Sequence, residues 1–208
     1  DSNIVRNNVL QGNLYLILSG DPTFTFHDLL DLFSVLEARS IRAIAGNIYI
    51  DRTAYDQDLY GPGWKQRDKQ FCYAAPISAS IINRNCPALY NKMRMGSVGL
   101  NIAEYNRSLL KSACREFGIR IYGNILFTPA PSRLTTLNNH YSKPLRLLVN
   151  EMLKKSDNVI AGAVFKKLGQ HYTQRPGSWA GGSQAVSEIL KTQSRIDMRG
   201  IKILDGSG

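Results

Sequence analysis

No apolar run in this sequence approaches the roughly 20 residues that a membrane-spanning helix requires. The first residues are polar as well: Asp1, Asn3, Arg6, Asn7 and Asn8 precede Leu14 and leave no apolar core for a signal peptide. The expectation is a mature or truncated soluble chain whose compartment is not read from this end. Cysteine and histidine are scarce, at three residues each. No C-x-x-C pair and no Cys/His cluster at zinc-ligand spacing is present, which argues against a structural zinc site. His27, His140 and His171 are isolated, so surface or capping roles are expected of them. No phosphate-cradling glycine loop follows a strand. No metal and no cofactor is therefore expected.

Acidic residues are also in short supply. Sixteen Asp and Glu face 26 Lys and Arg, a formal net charge of +10. Such a balance favours polyanionic partners: nucleic acid, anionic lipid or an acidic polymer such as a cell wall. The basic residues are scattered, however. The densest sets are Lys65, Arg67 and Lys69, then Lys154 and Lys155, then Lys166 and Lys167, and none forms the run that marks a nucleic-acid arm. A basic but ordinary surface, with no nucleic-acid partner, is the expectation.

The 208 residues are 43% hydrophobic and 20% charged, enough for one or two domains with a real core. Residues 9–18 read as a strand, broken by Gly20, Asp21 and Pro22. A helix follows over 26–39, with Thr25 and Asp28 as a capping box and Leu29, Leu30, Leu32, Phe33 and Leu36 as its apolar stripe. A strand covers 43–50. The helix-to-strand unit recurs: residues 36–50 and 112–127 each end a helix, turn through Ile-Arg and enter a strand containing Gly-Asn-Ile, which Gly12-Asn13-Leu14 echoes. Two similar supersecondary units, each a helix laid on a sheet, are expected.

Residues 51–69 form a polar loop around Gly61, Pro62, Gly63 and Trp64. Residues 71–83 read as a strand interrupted by Pro76. Residues 86–99 carry no assignable pattern. A helix over 102–117 is ended by Gly118. Cys114 falls in that helix as a core residue, and Cys72 and Cys86 are close enough to bridge, though buried reduced thiols fit the spacing equally. Beyond Pro144 the character turns helical, with a helix from about Ser142, a second over 158–168 ending at Gly169, and a third capped by Ser183 and running to Leu190. Residues 201–204 read as a short strand.

Between the first two of these helices stands Ser156-Asp157-Asn158. All three residue types are preferred helix N-caps, so a helix start alone explains them. A functional alternative exists: penicillin-recognising serine enzymes combine S-x-x-K, a tripeptide ending in Asn, and K-T-G. The surrounding residues extend the match. M-L-K-K-S-D-N at 152–158, P-G-S-W at 176–179 and D-G-S-G at 205–208 closely resemble the class C low-molecular-mass penicillin-binding proteins, the D-alanyl-D-alanine carboxypeptidase/endopeptidase family. So do G-N-L-Y-L-I-L-S-G-D-P-T at 12–23, G-N-I-Y-I-D at 46–51, P-G-W at 62–64 and A-A-P-I-S-A-S-I-I-N-R-N-C at 74–86.

The resemblance covers nearly the whole chain except residues 93–99, where the family carries a further insertion. It implies a mixed α/β (α+β) fold: an inserted helix-on-sheet region over residues 1–132, and the helical part of a transpeptidase-like domain over 133–208. It implies a bacterial periplasmic serine peptidase that trims peptidoglycan stem peptides through an acyl-enzyme and is inhibited covalently by β-lactams. Ser156 matches the proton-relay serine and Asn158 the substrate-orienting asparagine. Asp51 and Tyr55 match the segment that approaches the diamino-acid end of the stem peptide.

The chain departs from the pattern at two motifs. Ser108-Leu109-Leu110-Lys111 has the S-x-x-K spacing but falls where the family places no nucleophile, and Lys191-Thr192-Gln193 lacks the glycine of K-T-G. The expectation is that the nucleophile lies upstream of Asp1 and K-T-G downstream of Gly208, so that the chain is a fragment. The competing expectation is a non-catalytic fragment that binds peptidoglycan or a partner chain.

Overall fold

A computed structural model describes residues 5–87 and 101–207. Among them are seven strands and five α-helices. The strands are β1 (Val5–Arg6), β2 (Val9–Leu10), β3 (Leu14–Ile17), β4 (Ala43–Ile44), β5 (Ile48–Asp51), β6 (Arg120–Ile121) and β7 (Ile125–Phe127). The helices are α1 (Phe26–Ala38), α2 (Ile102–Glu116), α3 (Leu145–Lys155), α4 (Asn158–Thr173) and α5 (Trp179–Thr192).

The internal repeat becomes a stack. The order β3-β5-β7 forms one parallel sheet, and β2-β4-β6 runs parallel beside it with β1 antiparallel at its edge. Leu14, Ile48 and Ile125 share one register position, and so do Leu16, Ile50 and Phe127. Each Gly-Asn pair is the corner between two short strands. The Asn47 N–H donates to the Asn13 side chain at 2.9 Å, and the Asn124 N–H donates to the Asn47 side chain at 2.7 Å. A Cβ on Gly46 or Gly123 would strike the asparagine oxygen of the rung beside it, at 2.4 and 2.5 Å respectively. Only glycine permits that approach.

α1 and α2 are the crossovers, and they end alike. Ile41 N–H donates to Leu36 O and Ser40 N–H to Glu37 O; Ile119 N–H donates to Cys114 O and Gly118 N–H to Arg115 O. Both ends are Schellman motifs, with Ser40 at φ +57° and Gly118 at φ +63°. The expected capping box is in place: the Thr25 hydroxyl accepts from Asp28 N–H, and the Asp28 carboxylate accepts from Thr25 N–H.

Two apolar cores result. The first joins the strands to α1 and α2 through Leu16, Leu29, Phe33, Leu36, Ile48, Ile50, Leu110 and Cys114. Burial pushes the Cys114 thiol up to about 11, which keeps it an unreactive core residue. The second core joins Tyr55, Ala75, Ile77, Ala79 and Ile81 to Val159, Ala163 and Phe165 of α4 and Trp179 of α5.

Residues 71–83 do not form the expected strand. They contain a 3₁₀ turn at Cys72–Ala74 and then thread between the cores, wholly buried from Ala74 to Asn83. Their backbone bonds go to scattered partners: Ile77 N–H to Leu59 O, Gly20 N–H to Ala79 O, Asn83 N–H to Phe24 O. No single neighbouring strand takes them, so no ladder forms. Cys72 and Cys86 are bonded, with Cα atoms 5.5 Å apart. Most of the unassigned stretch 86–99 lies outside the described residues.

The C-terminal helices also differ from expectation at their ends. α3 begins at Leu145 rather than near Ser142. α4 runs through Gly169 to Thr173, because Gly169 is a contact and not a stop: a Cβ there would lie 2.4 Å from Gly182 N on α5. α5 is capped by Ser178, whose hydroxyl accepts from Gly181 N–H at 2.9 Å, and not by Ser183. Residues 201–204 are irregular rather than a strand.

Candidate active site

Ser156, Asp157 and Asn158 form the whole joint between α3 and α4. Ser156 ends α3 in the left-handed conformation, at φ +52°. Its backbone N–H and that of Asp157 both return to Met152 O. Asp157 is the N-cap of α4, and its carboxylate accepts from Val159 N–H at 3.1 Å and Ile160 N–H at 3.0 Å. Asn158 opens α4. The Asp157 carboxylate is thus spent on structure. Ser156 is exposed and Asn158 half-buried, and among the described residues neither side chain has a hydrogen-bond partner. The capping role expected of the tripeptide therefore belongs to its middle residue alone.

Behind the joint stands Arg84, whose Nη2 donates to Asp157 Oδ1 at 2.5 Å. The backbone that presents it is unusual: Asn83, Arg84 and Asn85 take φ values of +49°, +60° and +49°. Left-handed conformations cost about 1 kcal/mol or more for a non-glycine residue, least for Asn. Anchors on both sides hold the turn. Asn83 Oδ1 accepts from Phe26 N–H at 2.8 Å, and Asn85 Nδ2 donates to Pro76 O at 2.9 Å. The bonded Cys86 follows.

The remaining sequence motifs converge on α4. Trp64 of the P-G-W loop donates to the Ser207 hydroxyl at 3.0 Å, and Asp205 accepts from both N–H and hydroxyl of Ser207. Gly206 lies so close to α4 that a Cβ would be 2.7 Å from Ala161 O. Trp179 donates to Asp58 O at 2.8 Å and packs on Trp64.

Lys166 of α4 is fully buried and donates to Asp56 at 2.7 Å and to Asp58 O at 2.5 Å. Burial pulls its ammonium below the usual value, against the opposing pull of Asp56 and Asp58. Neither Lys166 nor Arg84 stood out in the sequence as a site residue. The signal for Lys166 was its spacing, three residues after Ala163 and seven after Val159, on the apolar face of the helix. For Arg84 there was only its setting between two asparagines.

The other two candidates make no hydrogen bond to the joint among the described residues. Asp51 ends β5, 7% exposed, and accepts from Thr53 N–H, the Thr53 hydroxyl and Ala130 N–H at 2.6–2.8 Å. Burial alone would raise its carboxyl; the Thr53 hydroxyl and the two N–H groups outweigh that and hold it below its usual value. Tyr55 is 2% exposed, and its hydroxyl donates to Ala163 O of α4 at 2.8 Å. Burial, with the nearby Asp21 charge, raises its phenol. A cavity of about 1110 Å³ bordered by Tyr55, Asp21, Phe33, His140 and Lys167 does not include the Ser-Asp-Asn joint.

The Asp51 carboxylate gives a test with a defined sign. A depressed folded pKa contributes stability that is present above the unfolded value of 3.8 and is lost as pH falls through the folded one. Asp51→Asn is expected to cost about 1–2 kcal/mol at pH 7. The gap should close as melts are repeated toward pH 3. A gap that stays constant with pH would assign the loss to packing instead.

Comparison with known proteins shows a low-molecular-mass penicillin-binding protein. The chain belongs to the D-Ala-D-Ala carboxypeptidase 3 (S13) family, whose model matches residues 1–98 and 86–208. It is 27% identical to the D-alanyl-D-alanine carboxypeptidase DacB of Haemophilus influenzae, over 264 positions that cover 98% of this chain and 55% of the relative. It is 26% identical to a carboxypeptidase of Mycobacterium tuberculosis, covering 95% of this chain and 43% of that protein. The chain thus spans about half the length of the curated relatives it matches. The alignment with DacB is longer than the chain, so that relative carries segments without a counterpart here. The crystal structure of Haemophilus influenzae penicillin-binding protein 4 superposes with a TM-score of 0.88 at 26% identity, covering 98% of this chain and 58% of that one. A second structure of the same relative, in complex with a β-lactam, matches in fold with a TM-score of 0.78 at 23% identity.

Proposed function

We propose that this chain is part of a serine-type D-alanyl-D-alanine carboxypeptidase/endopeptidase, and that it supplies the second catalytic motif. The substrate is a peptidoglycan stem peptide. A serine attacks the penultimate D-Ala carbonyl, the terminal amine leaves with a proton, and water resolves the acyl-enzyme. Ser156 relays the proton and Asn158 orients the substrate amide. The observation that carries this reading is the joint itself: two polar side chains without partners among the described residues flank a carboxylate locked into structure. Rigid placement of this kind is what acid–base work demands. Asp51 and Tyr55 enter the reading as residues that fix the wall of the substrate site, since both side chains are spent on internal hydrogen bonds.

The nucleophile and K-T-G belong to segments outside residues 1–208. Ser108 is an exposed residue of α2 that donates to Tyr105 O, and Thr192 donates to Glu188 O at the end of α5. The periplasm is the compartment, in keeping with the Cys72–Cys86 bond.

Intact mass after incubation with a fluorescent penicillin tests the proposal. The full-length protein should gain one penicillin equivalent, and residues 1–208 alone should gain none. Ser156→Ala in the full-length protein should acylate roughly 100-fold more slowly or worse. An adduct on the isolated chain, or full-rate acylation of Ser156→Ala, would sink it.

A further inference from the structure

We propose that Arg84 is a positioning residue for the Ser-Asp-Asn joint, acting through Asp157. This rests on the reading of Ser156 and Asn158 given above. α4 is capped by Asp157 whether or not Arg84 is present, so the ion pair is not needed to start the helix. What the pair adds is a tie between the joint and a different part of the chain. Arg84 directly follows the buried thread 74–83, in a turn that is fixed to the N-terminus of α1 through Asn83, to Pro76 through Asn85 and to Cys72 through Cys86.

Three consecutive left-handed residues are an expensive way to make a turn, and two of them are occupied by Asn, the residue that tolerates them best. Arg84, between them, is not suited to the conformation. The Arg84 side chain makes its hydrogen bond to Asp157, and the pair is half-shielded, with side chains 25% and 9% exposed. The turn thus aims one guanidinium at the carboxylate between the relay serine and the orienting asparagine. Losing the tie lets the joint rock about α4, and sub-ångström displacement of groups on either side of Asp157 slows acyl transfer without removing any reacting atom.

The test uses the full-length protein, its acylation rate constant with a fluorescent penicillin, and its thermal midpoint. Arg84→Gln should slow acylation roughly 10- to 100-fold. Arg84→Lys, which keeps the charge, should slow it less, with midpoints of the two variants alike. Asp157→Ser preserves the cap, since Ser caps helices as well as Asp, and removes the carboxylate that accepts from Arg84. It should reproduce the Arg84→Gln slowing, and the double variant should be no slower than either single one. Additive slowing, or equal slowing in Arg84→Gln and Arg84→Lys, overturns the proposal. Should Arg84→Gln fail to fold, an unchanged rate in Asp157→Ser overturns it as well. Asn158→Ala separates the two readings. If it acylates normally, the assignment of the joint fails; if it is crippled while Arg84→Gln is unaffected, only the role of Arg84 fails.

Discussion

Lys166→Met should lower the unfolding free energy by about 3–5 kcal/mol, measured by denaturant titration of the purified protein at neutral pH. Methionine nearly matches the lysine stem in volume, so the loss would come from polar groups. Lys166 is fully buried and closes three acceptors at once: the Asp56 carboxylate, Asp58 O and, at 3.5 Å, Ile77 O. Its removal takes the ammonium donor from Ile77 O, leaves Asp58 O with the Trp179 indole alone, and leaves a half-buried carboxylate without its counter-ion. It also releases the 56–58 loop from α4, and with it the acceptor of the Trp179 indole. Asp56→Asn should cost less, because the amide oxygen still accepts and the Asp56 side chain is 29% exposed. A loss below about 1 kcal/mol in Lys166→Met would show that water or a neighbouring side chain replaces the ammonium.

Opening the Cys72–Cys86 bond ranks next. The two cysteines are 14 residues apart, and closing a loop of about that length contributes roughly 3 kcal/mol through the unfolded chain. For a protein of this size that corresponds to a fall in thermal midpoint of roughly 6–12 °C. The double variant Cys72→Ser, Cys86→Ser should show the same fall as reduction. The loop it opens contains the entire buried thread 74–83, so the loss should be accompanied by faster amide exchange at Ile77, Ala79 and Ile81. A midpoint unchanged by dithiothreitol would mean that packing alone holds the thread.

Much of this architecture could be read in the sequence, and the reasons are local. The repeat was visible because the same corner, Gly-Asn, is required wherever one rung stacks on the next. The start of α1 was visible because a capping box is a contact between residues three apart. The Ser-Asp-Asn joint was visible as a helix junction because its cap is local as well. What escaped was long-range. The stretch 71–83 has the apolar, β-branched composition of a strand, yet its long-range backbone partners are spread over two separate segments, at 20–24 and at Leu59. Gly169 carries the composition of a helix stop, but its reason is α5 passing against it. Lys166 and Arg84 find their carboxylates 110 and 73 residues away, distances no periodicity can report.

The Gly-Asn corners also govern where the chain can grow. Each corner fixes three things in one step: a glycine with no room for a side chain, an asparagine reaching to the next rung, and strands in shared register on both sides. One residue gained or lost there would turn the strand that follows it inside out and break the contacts of two rungs. The stretches that leave the stack carry no such constraint. Length variation between members of this family should therefore collect in the passages between rungs, while the corners keep their spacing. The stack works as a ruler whose markings are fixed and whose gaps are free.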